Sequence, residues 1–176
     1  MEIDDIIKSI YYFYPKNVSI YETAITENSE EYKRRKSVCR NAAQDRTQWN
    51  LLKQNLESQF ISEFGCKIYD YSTLGNVPCY HASVGIGNQL YSFMISVIIP
   101  LWSYRIIDLK TEKIEYEFRN PYEKSVIDAI TSSINNFFPA YSFLGPQQHQ
   151  IVIDDIATAF SQGPTIFDAI FTENGN

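Results

Sequence analysis

The sequence predicts an α+β fold in which an antiparallel meander of about four strands is flanked by N-terminal and C-terminal helices. Two observations indicate this class. Apolar residues recur every three or four positions before residue 65 and after residue 120, and every second position between them. No repeat or linker interrupts the chain, so its 176 residues are expected to form one α+β domain, 1–176.

Three helices are predicted before the sheet. The first is short and has an apolar stripe made of Ile3, Ile6, Ile7 and Ile10. Asn28, followed three residues later by Glu31, is a capping-box pattern that opens a second helix over 29–43. The third covers about 46–63 and ends at Gly65, a residue that favours the left-handed C-cap. Its buried face is formed by Trp49, Leu52, Leu56 and Phe60.

The strands are predicted from alternation and from turn residues. They cover about 66–71, 78–86, 89–107 and 113–119. Gly87 and Asn88 form a turn signal between the second and third strands. The polar segment 110–112 closes a second hairpin.

The most apolar stretch, YSFMISVIIPLWSYRII at 91–107, is predicted to be sheet and not a membrane span. Its serines, Pro100 and Arg105 interrupt the apolar run of about 20 residues that a membrane helix needs. Its odd-numbered residues are expected to face the core and its even-numbered residues to be partly covered. Pro100 cannot donate to a ladder, so it marks a bulge, an edge or a break between two strands.

Two further helices are predicted after the sheet. Asn120, Pro121 and Glu123 combine an N-cap, a proline in the first turn and an acidic residue near the positive helix end. The helix that they open is expected to stop before Pro139. A short last helix is predicted over PTIFDAIF, 164–171.

The net charge of −6 is concentrated in the last third of the chain. Residues 1–60 contain nine basic and nine acidic groups, whereas residues 121–176 contain one basic and six acidic groups. An acidic surface repels phosphate backbones, which argues against a nucleic-acid partner, and it attracts basic proteins. The same charge could serve solubility alone.

The start of the chain indicates the cytoplasm. MEIDDIIKSIYYFYP has acidic residues where a secretion signal needs basic ones, and it lacks a cleavage site. The three cysteines, Cys39, Cys66 and Cys79, are an odd number without a close pair, so a disulfide framework is not expected. A zinc site built from Cys66, Cys79, His81 and a carboxylate can be imagined, but no ligand spacing supports it.

No motif predicts catalysis, a cofactor or a metal. VGIGNQ lacks the third glycine, the lysine and the helix of a phosphate-binding loop. Asp154 and Asp155 are adjacent, and neighbours on a strand point to opposite faces, so they would not form a catalytic pair. With only two histidines, the chain favours binding over catalysis.

The chain resembles the small acidic cytosolic immunity proteins of bacterial polymorphic toxin systems. The resemblance lies in the strand block CYHASVGIGNQLYSFMISVIIPLWSYRI, the acidic last third and the closing PTIFDAIF. It covers most of the chain but includes no diagnostic motif, so no functional residue is transferred. It implies a protein that neutralises a cognate toxin by tight binding.

We therefore expect a basic toxin domain as the partner, attracted by acidic residues and held by aromatic anchors. The candidate acidic residues are Asp154, Asp155 and Asp168. The candidate anchors are Tyr11, Tyr12, Tyr14, Tyr141 and Phe143. Packing of the first three into the core is an equally good interpretation, and Asp168 could instead serve the last helix.

Two alternatives stay open. One is a small enzyme whose site assembles from scattered residues such as His81, Asp70 and Asp154. The other is a structural or adaptor protein that self-associates through an open sheet edge and spare aromatic residues.

Overall fold

The predicted α+β class is confirmed by the computed structural model, which describes residues 1–74, 77–159 and 161–172. Its helices are α1 (Ile3–Tyr11), α2 (Thr23–Asn28), α3 (Glu30–Gln44), α4 (Thr47–Phe64), α5 (Pro121–Phe137) and α6 (Pro146–His149). A π-helical turn follows at Asp168–Thr172. Its strands are β1 (Ile68–Asp70), β2 (Cys79–Ile86), β3 (Gln89–Ser96), β4 (Leu101–Asp108), β5 (Ile114–Glu115) and β6 (Ser142–Phe143).

The helix ends follow the sequence signals closely. The Asn120 side chain accepts a hydrogen bond from the Glu123 N–H at 2.9 Å, and α5 begins at Pro121. Gly65 adopts a φ of +67° and ends α4, as its position predicts. The α3 cap is one residue later than predicted, because the Ser29 hydroxyl accepts from the Tyr32 N–H at 3.1 Å.

The strands form one sheet in the order β1-β2-β3-β4-β5, with antiparallel neighbours throughout. The turn at Gly87, where φ is +60°, joins β2 to β3 as predicted. Strand β6 is parallel to β4 and pairs with Leu101 and Trp102. A two-residue strand is too short to show an alternating pattern, so this strand was not predicted.

The prediction of one long strand over 89–107 is wrong, because the chain reverses between Ser96 and Leu101. The Ser96 hydroxyl accepts hydrogen bonds from the N–H groups of Ile98 and Ile99, both at 3.2 Å, and Pro100 has no N–H to continue a ladder. This break is one of the three interpretations that the sequence left open for Pro100. The predicted facing of odd-numbered residues toward the core holds in β3 but not in β4, whose even-numbered residues enter the first core, because the turn shifts the phase of the alternation.

Other predicted boundaries also change. Strand β5 is shorter than the predicted 113–119. The last helix, predicted over 164–171, consists of two helical residues, 166–167, followed by the π-helical turn. Helices α2 and α6 were not predicted, since six and four residues are too few to show a helical period.

The sheet separates two apolar cores. Helices α4 and α5 cover the first face, which presents alternate residues of three strands. These residues are Tyr80, Ala82 and Val84 of β2, Tyr91, Phe93 and Ile95 of β3, and Trp102, Tyr104 and Ile106 of β4. Helix α1 and the segment after α6 cover the second face. Their main contributions are Ile6, Ile10, Ile153, Ile156, Ile166 and Ile170.

The even-numbered residues of β3 are more buried than predicted. Ser92, Met94 and Ser96 are all at most 2% exposed, because the C-terminal segment closes the second face. Ser92 satisfies its hydroxyl by pairing with that of Ser83 on β2 at 2.6 Å. The sheet is therefore the middle layer of three.

No helix in residues 1–74, 77–159 and 161–172 is long and apolar enough to span a bilayer.

We predict that Phe93→Ala and Ser96→Ala both destabilise the protein, for different reasons. Phe93→Ala leaves a cavity in the first core and should lower the free energy of unfolding by about 3–5 kcal/mol. Ser96→Ala leaves two buried N–H groups without an acceptor and should lower it by about 1–3 kcal/mol. Urea unfolding measures both, with the exposed Lys110→Ala as control. A loss at Ser96 no larger than at Lys110 would contradict the assigned role of the serine in the turn.

Candidate functional site

Of the predicted acidic site residues, Asp154 is exposed and Asp155 is used inside the molecule. Asp155 accepts a hydrogen bond from the Tyr11 hydroxyl at 2.8 Å and lies 3.5 Å from the Lys16 ammonium. It therefore ties the C-terminal segment to the end of α1. Asp154 makes no hydrogen bond or ion pair with any residue in the described ranges.

Asp168 stabilises the π-helical turn. The sequence left this role open as the alternative to partner binding. Its carboxylate accepts from the Thr165 hydroxyl at 2.7 Å and from the Thr172 hydroxyl at 3.1 Å. Glu123 and Asp128 on α5 are paired with Arg119 and Lys124 respectively. Glu173 lies outside the described residues. The acidic last third thus contributes few unpaired carboxylates to the surface.

The tyrosines of the IYYFYP stretch differ in position. Tyr14 is buried, donates to the carbonyl of Ala169 at 2.7 Å and accepts from Arg35, so it is not a surface anchor. Tyr11 is half-buried beside Asp155. Tyr12 is 54% exposed, with the Arg34 guanidinium 4.0 Å from its ring centroid. Tyr12 is therefore the member of this group that faces solvent.

Asp70, a candidate residue of the enzyme alternative, already accepts hydrogen bonds from three donors. Its Oδ2 accepts from Lys53 at 2.6 Å, Arg46 at 2.7 Å and Trp49 at 3.1 Å. Burial alone would raise the pKa of Asp70, but hydrogen bonds from Lys53, from the Ser72 side chain and backbone, and from Trp49 hold that pKa well below its usual range. Asp70 fastens β1 to α4 as a charged carboxylate.

His81 lies on the second face of β2. Its Nε2 is buried and has no hydrogen-bond partner within the described ranges. Burial, reinforced by Arg105, lowers the pKa of His81 to about 4 and so favours the neutral ring. The imagined zinc set does not assemble, since Cys66 packs against the first core and Cys79 is buried in the second. No metal-ligating cluster occurs among the residues that the structure describes.

A buried serine–histidine pair escaped the sequence analysis. Ser103 Oγ lies 2.8 Å from His149 Nε2, and the Leu144 carbonyl accepts from both at about 3.0 Å. Both side chains are at most 1% exposed. Burial lowers the pKa of His149, opposed in part by the hydrogen bond to Leu144. The pair fastens α6 to β4 inside the second core, where a substrate has no access.

An open groove lies where α3 ends, α4 begins and α5 ends. It has a volume of about 480 Å³. Its aromatic lining consists of Trp49, Tyr80, Phe137, Phe138 and Tyr141. Its rim is formed by Asp45, Thr47, Gln48, Leu51 and Asn136. Of the predicted anchors, Tyr141 lies in this groove, whereas 41%-exposed Phe143 lies on β6 against Trp102 and Tyr104.

The floor of the groove is held rigidly by aromatic packing and hydrogen bonds. Trp49 stacks on Tyr80 with ring centroids 5.0 Å apart, and the Tyr80 hydroxyl donates to the carbonyl of Ala42 at 2.9 Å. The Gln48 side chain donates to the Phe137 carbonyl and so joins α4 to the end of α5. The Tyr141 ring packs edge-on against Phe138 at 5.2 Å.

The groove is negative and its phenols are neutral. Hydrogen bonds from the Thr47 side chain and backbone lower the pKa of Asp45, which keeps its exposed carboxylate charged. Burial raises the pKa of Tyr141, and it also raises that of Tyr80, although Arg46 opposes the effect there. The sequence predicted Tyr141 alone of these residues. The others come from three helices and a strand that are distant in the chain.

Comparisons with family models, with curated proteins and with solved structures each returned no significant match. The function is therefore argued from the groove itself.

We predict that His81 makes stability depend on pH. Its pKa is about 4 in the folded protein and about 6.5 when unfolded, so the unfolded state binds more protons between these values. The free energy of unfolding should consequently fall as the pH drops through this window, by roughly 1–3 kcal/mol. Urea unfolding at several pH values measures this fall in the free energy of unfolding. His81→Gln should show a smaller loss over the same window, and an equal loss in both proteins would contradict the burial effect.

Proposed function

We propose that this protein is a non-catalytic binding protein that neutralises a cognate bacterial toxin by direct contact, as do the immunity proteins that it resembles. The aromatic groove is the centre of the contact surface in this proposal. The observation that carries it is the open groove, in which half-buried Phe137 and Tyr141 lie above a rigid, buried aromatic floor and beside polar residues. Buried aromatic pockets inside a polar rim are the typical setting of the residues that dominate binding energy.

The groove carries this proposal better than the acidic last third does. Asp155 and Asp168 are held by internal hydrogen bonds, and the carboxylates of α5 are paired with neighbouring cations. Asp154 can still steer a basic partner, because an exposed charge acts mainly on the rate of association. Steering by Asp154 and anchoring at the groove are separate contributions that separate variants can measure.

The enzyme alternative gains no support from a specific contact. Asp70 is saturated by donors, and the pair of Ser103 and His149 is enclosed in the second core. Self-association has one observation in its favour, since Tyr69 on edge strand β1 and Tyr71 directly after that strand are both exposed. That strand is only three residues long, which is a small template for pairing.

We predict that Tyr141→Ala weakens binding of the cognate toxin at least about tenfold. The partner is first isolated from a lysate of the source organism and identified, and the purified pair is then measured by calorimetry. Growth rescue on co-expression with the toxin tests neutralisation. Tyr21→Ala is the matched control, because Tyr21 is 89% exposed and does not line the groove.

Asp154→Lys should slow association with little change in dissociation. The proposal fails if no toxin is bound, or if Tyr141→Ala and Tyr21→Ala bind it equally well. If light scattering shows a symmetric dimer, and the groove variants dimerise as the wild type does, the self-associating alternative would be favoured.

A further inference from the structure

We infer that the groove receives a basic side chain of the partner, with its aliphatic stem against the aromatic wall and its cationic head at the rim. This inference rests on the proposed function and adds the chemistry of the group that is recognised. Three features of the groove support it: its accessible apolar wall, its charge and its hydrogen-bond acceptors.

The accessible wall suits a long, thin side chain. Trp49 is 1% exposed and Tyr80 is 7% exposed, so both form the floor and offer little surface to an occupant. Phe137 and Tyr141 are half-buried and Leu51 is about half exposed, so these three present the contact surface. Lysine and arginine stems cover such apolar surface while their charged heads stay near water.

The charge of the groove is complementary to a cation. Asp45 is the only charged residue among the lining residues that the structure describes. Helix α3 ends at Gln44 and α5 ends at Phe137, so the negative ends of two helix dipoles lie at the groove.

Two positive groups lie near the groove. The first N–H of α4, on Thr47, donates to the Asp45 carboxylate at 3.1 Å, so the positive start of α4 offsets part of its charge. The Arg46 guanidinium, 5.9 Å from the Tyr80 ring, is paired with Asp70 at 2.7 Å. The field at the rim is therefore that of the charged Asp45 carboxylate and two negative helix ends, reduced by the start of α4.

The groove also offers a side-chain hydrogen-bond acceptor beside the Asp45 carboxylate. The Ala42 and Phe137 carbonyls at the ends of α3 and α5 already accept from Tyr80 and Gln48. The Tyr141 hydroxyl makes no hydrogen bond with the described residues, and burial keeps it neutral, so it can accept from a cation. Its ring face adds a cation–π contact. A purely apolar occupant would leave the Tyr141 hydroxyl and the Asp45 charge unused, and an anionic occupant would be repelled by Asp45.

A second cavity on α3 serves as an internal control. It has the same volume of about 480 Å³, but its charged lining residues are Lys33, Lys36 and Arg40 with a single acidic residue, Glu27, so its lining is positive. Its positive lining should repel the cation that the aromatic groove binds. If cavity size alone determined binding, a cation would occupy both cavities equally.

The test is an NMR titration of the isotopically labelled full-length protein with N-acetyl-arginine amide. We expect saturable amide shifts at Thr47, Gln48 and Asn136, with a dissociation constant in the millimolar range, and no shifts around Lys36 and Arg40. N-acetyl-citrulline amide has nearly the same shape without the charge and should bind about three- to tenfold more weakly.

Asp45→Asn is the matched variant, because an asparagine oxygen can still accept from the Thr47 N–H and keep the α4 start intact. It should weaken binding of the arginine probe about three- to tenfold without lowering the melting temperature by more than a few degrees. Equal binding of the citrulline and arginine probes, or shifts at the α3 cavity instead of the groove, would overturn the inference.

The two proposals fail in distinguishable ways. A toxin whose binding is lost in Tyr141→Ala but unchanged in Asp45→Asn would overturn the cationic occupant and leave the proposed function standing. A toxin whose binding is unchanged in both variants would overturn the groove as the contact surface. Loss in both variants, with an arginine of the toxin whose substitution by glutamine weakens binding, supports the whole inference.

Discussion

Burial of β3 on both faces is the constraint on which the other elements depend. Its odd-numbered side chains enter a core closed by α4 and α5, and its even-numbered ones enter a core closed by α1 and the C-terminal segment. A sheet covered on both faces needs apolar layers on either side of it. The chain provides them by placing helices before the sheet and after it.

The second core contains buried polar side chains, and several of their contacts join separate elements. The hydroxyls of Ser83 and Ser92 join β2 to β3, and His149 joins α6 to Ser103 on β4. The Cys79 thiol, whose pKa is raised by burial, donates to the carbonyl of Phe171 at 3.1 Å. Satisfied polar contacts of this kind favour one arrangement of a buried layer over its alternatives.

The groove follows from how the first core ends. Helices α4 and α5 cover most of the first face, but α5 stops at Phe137 and α4 begins at Thr47, so a groove opens between the helix ends with nearly buried Tyr80 in its floor. The site combines this rigid aromatic floor with the Asp45 carboxylate that follows α3. Charge and apolar surface are therefore adjacent there without a loop that has to become ordered on binding, which limits the entropy cost of recognition.

The fold class, the α4 and α5 boundaries and the β2–β3 hairpin could be predicted from the sequence, because periodicity, Gly65, Asn120 and Gly87 act through neighbouring residues. Pro100 left a break between β3 and β4 open as one alternative, but the sequence could not select it, since the Ser96 hydrogen bonds that form the turn appear only in three dimensions. The sequence located the acidic residues but not their partners, because Asp155 meets Tyr11 from 144 positions away. Tyr141 was identified as an aromatic candidate, whereas Asp45, Trp49 and Tyr80 join it only through packing. Contacts between residues distant in the chain leave no periodic trace, and the tertiary structure alone decided them.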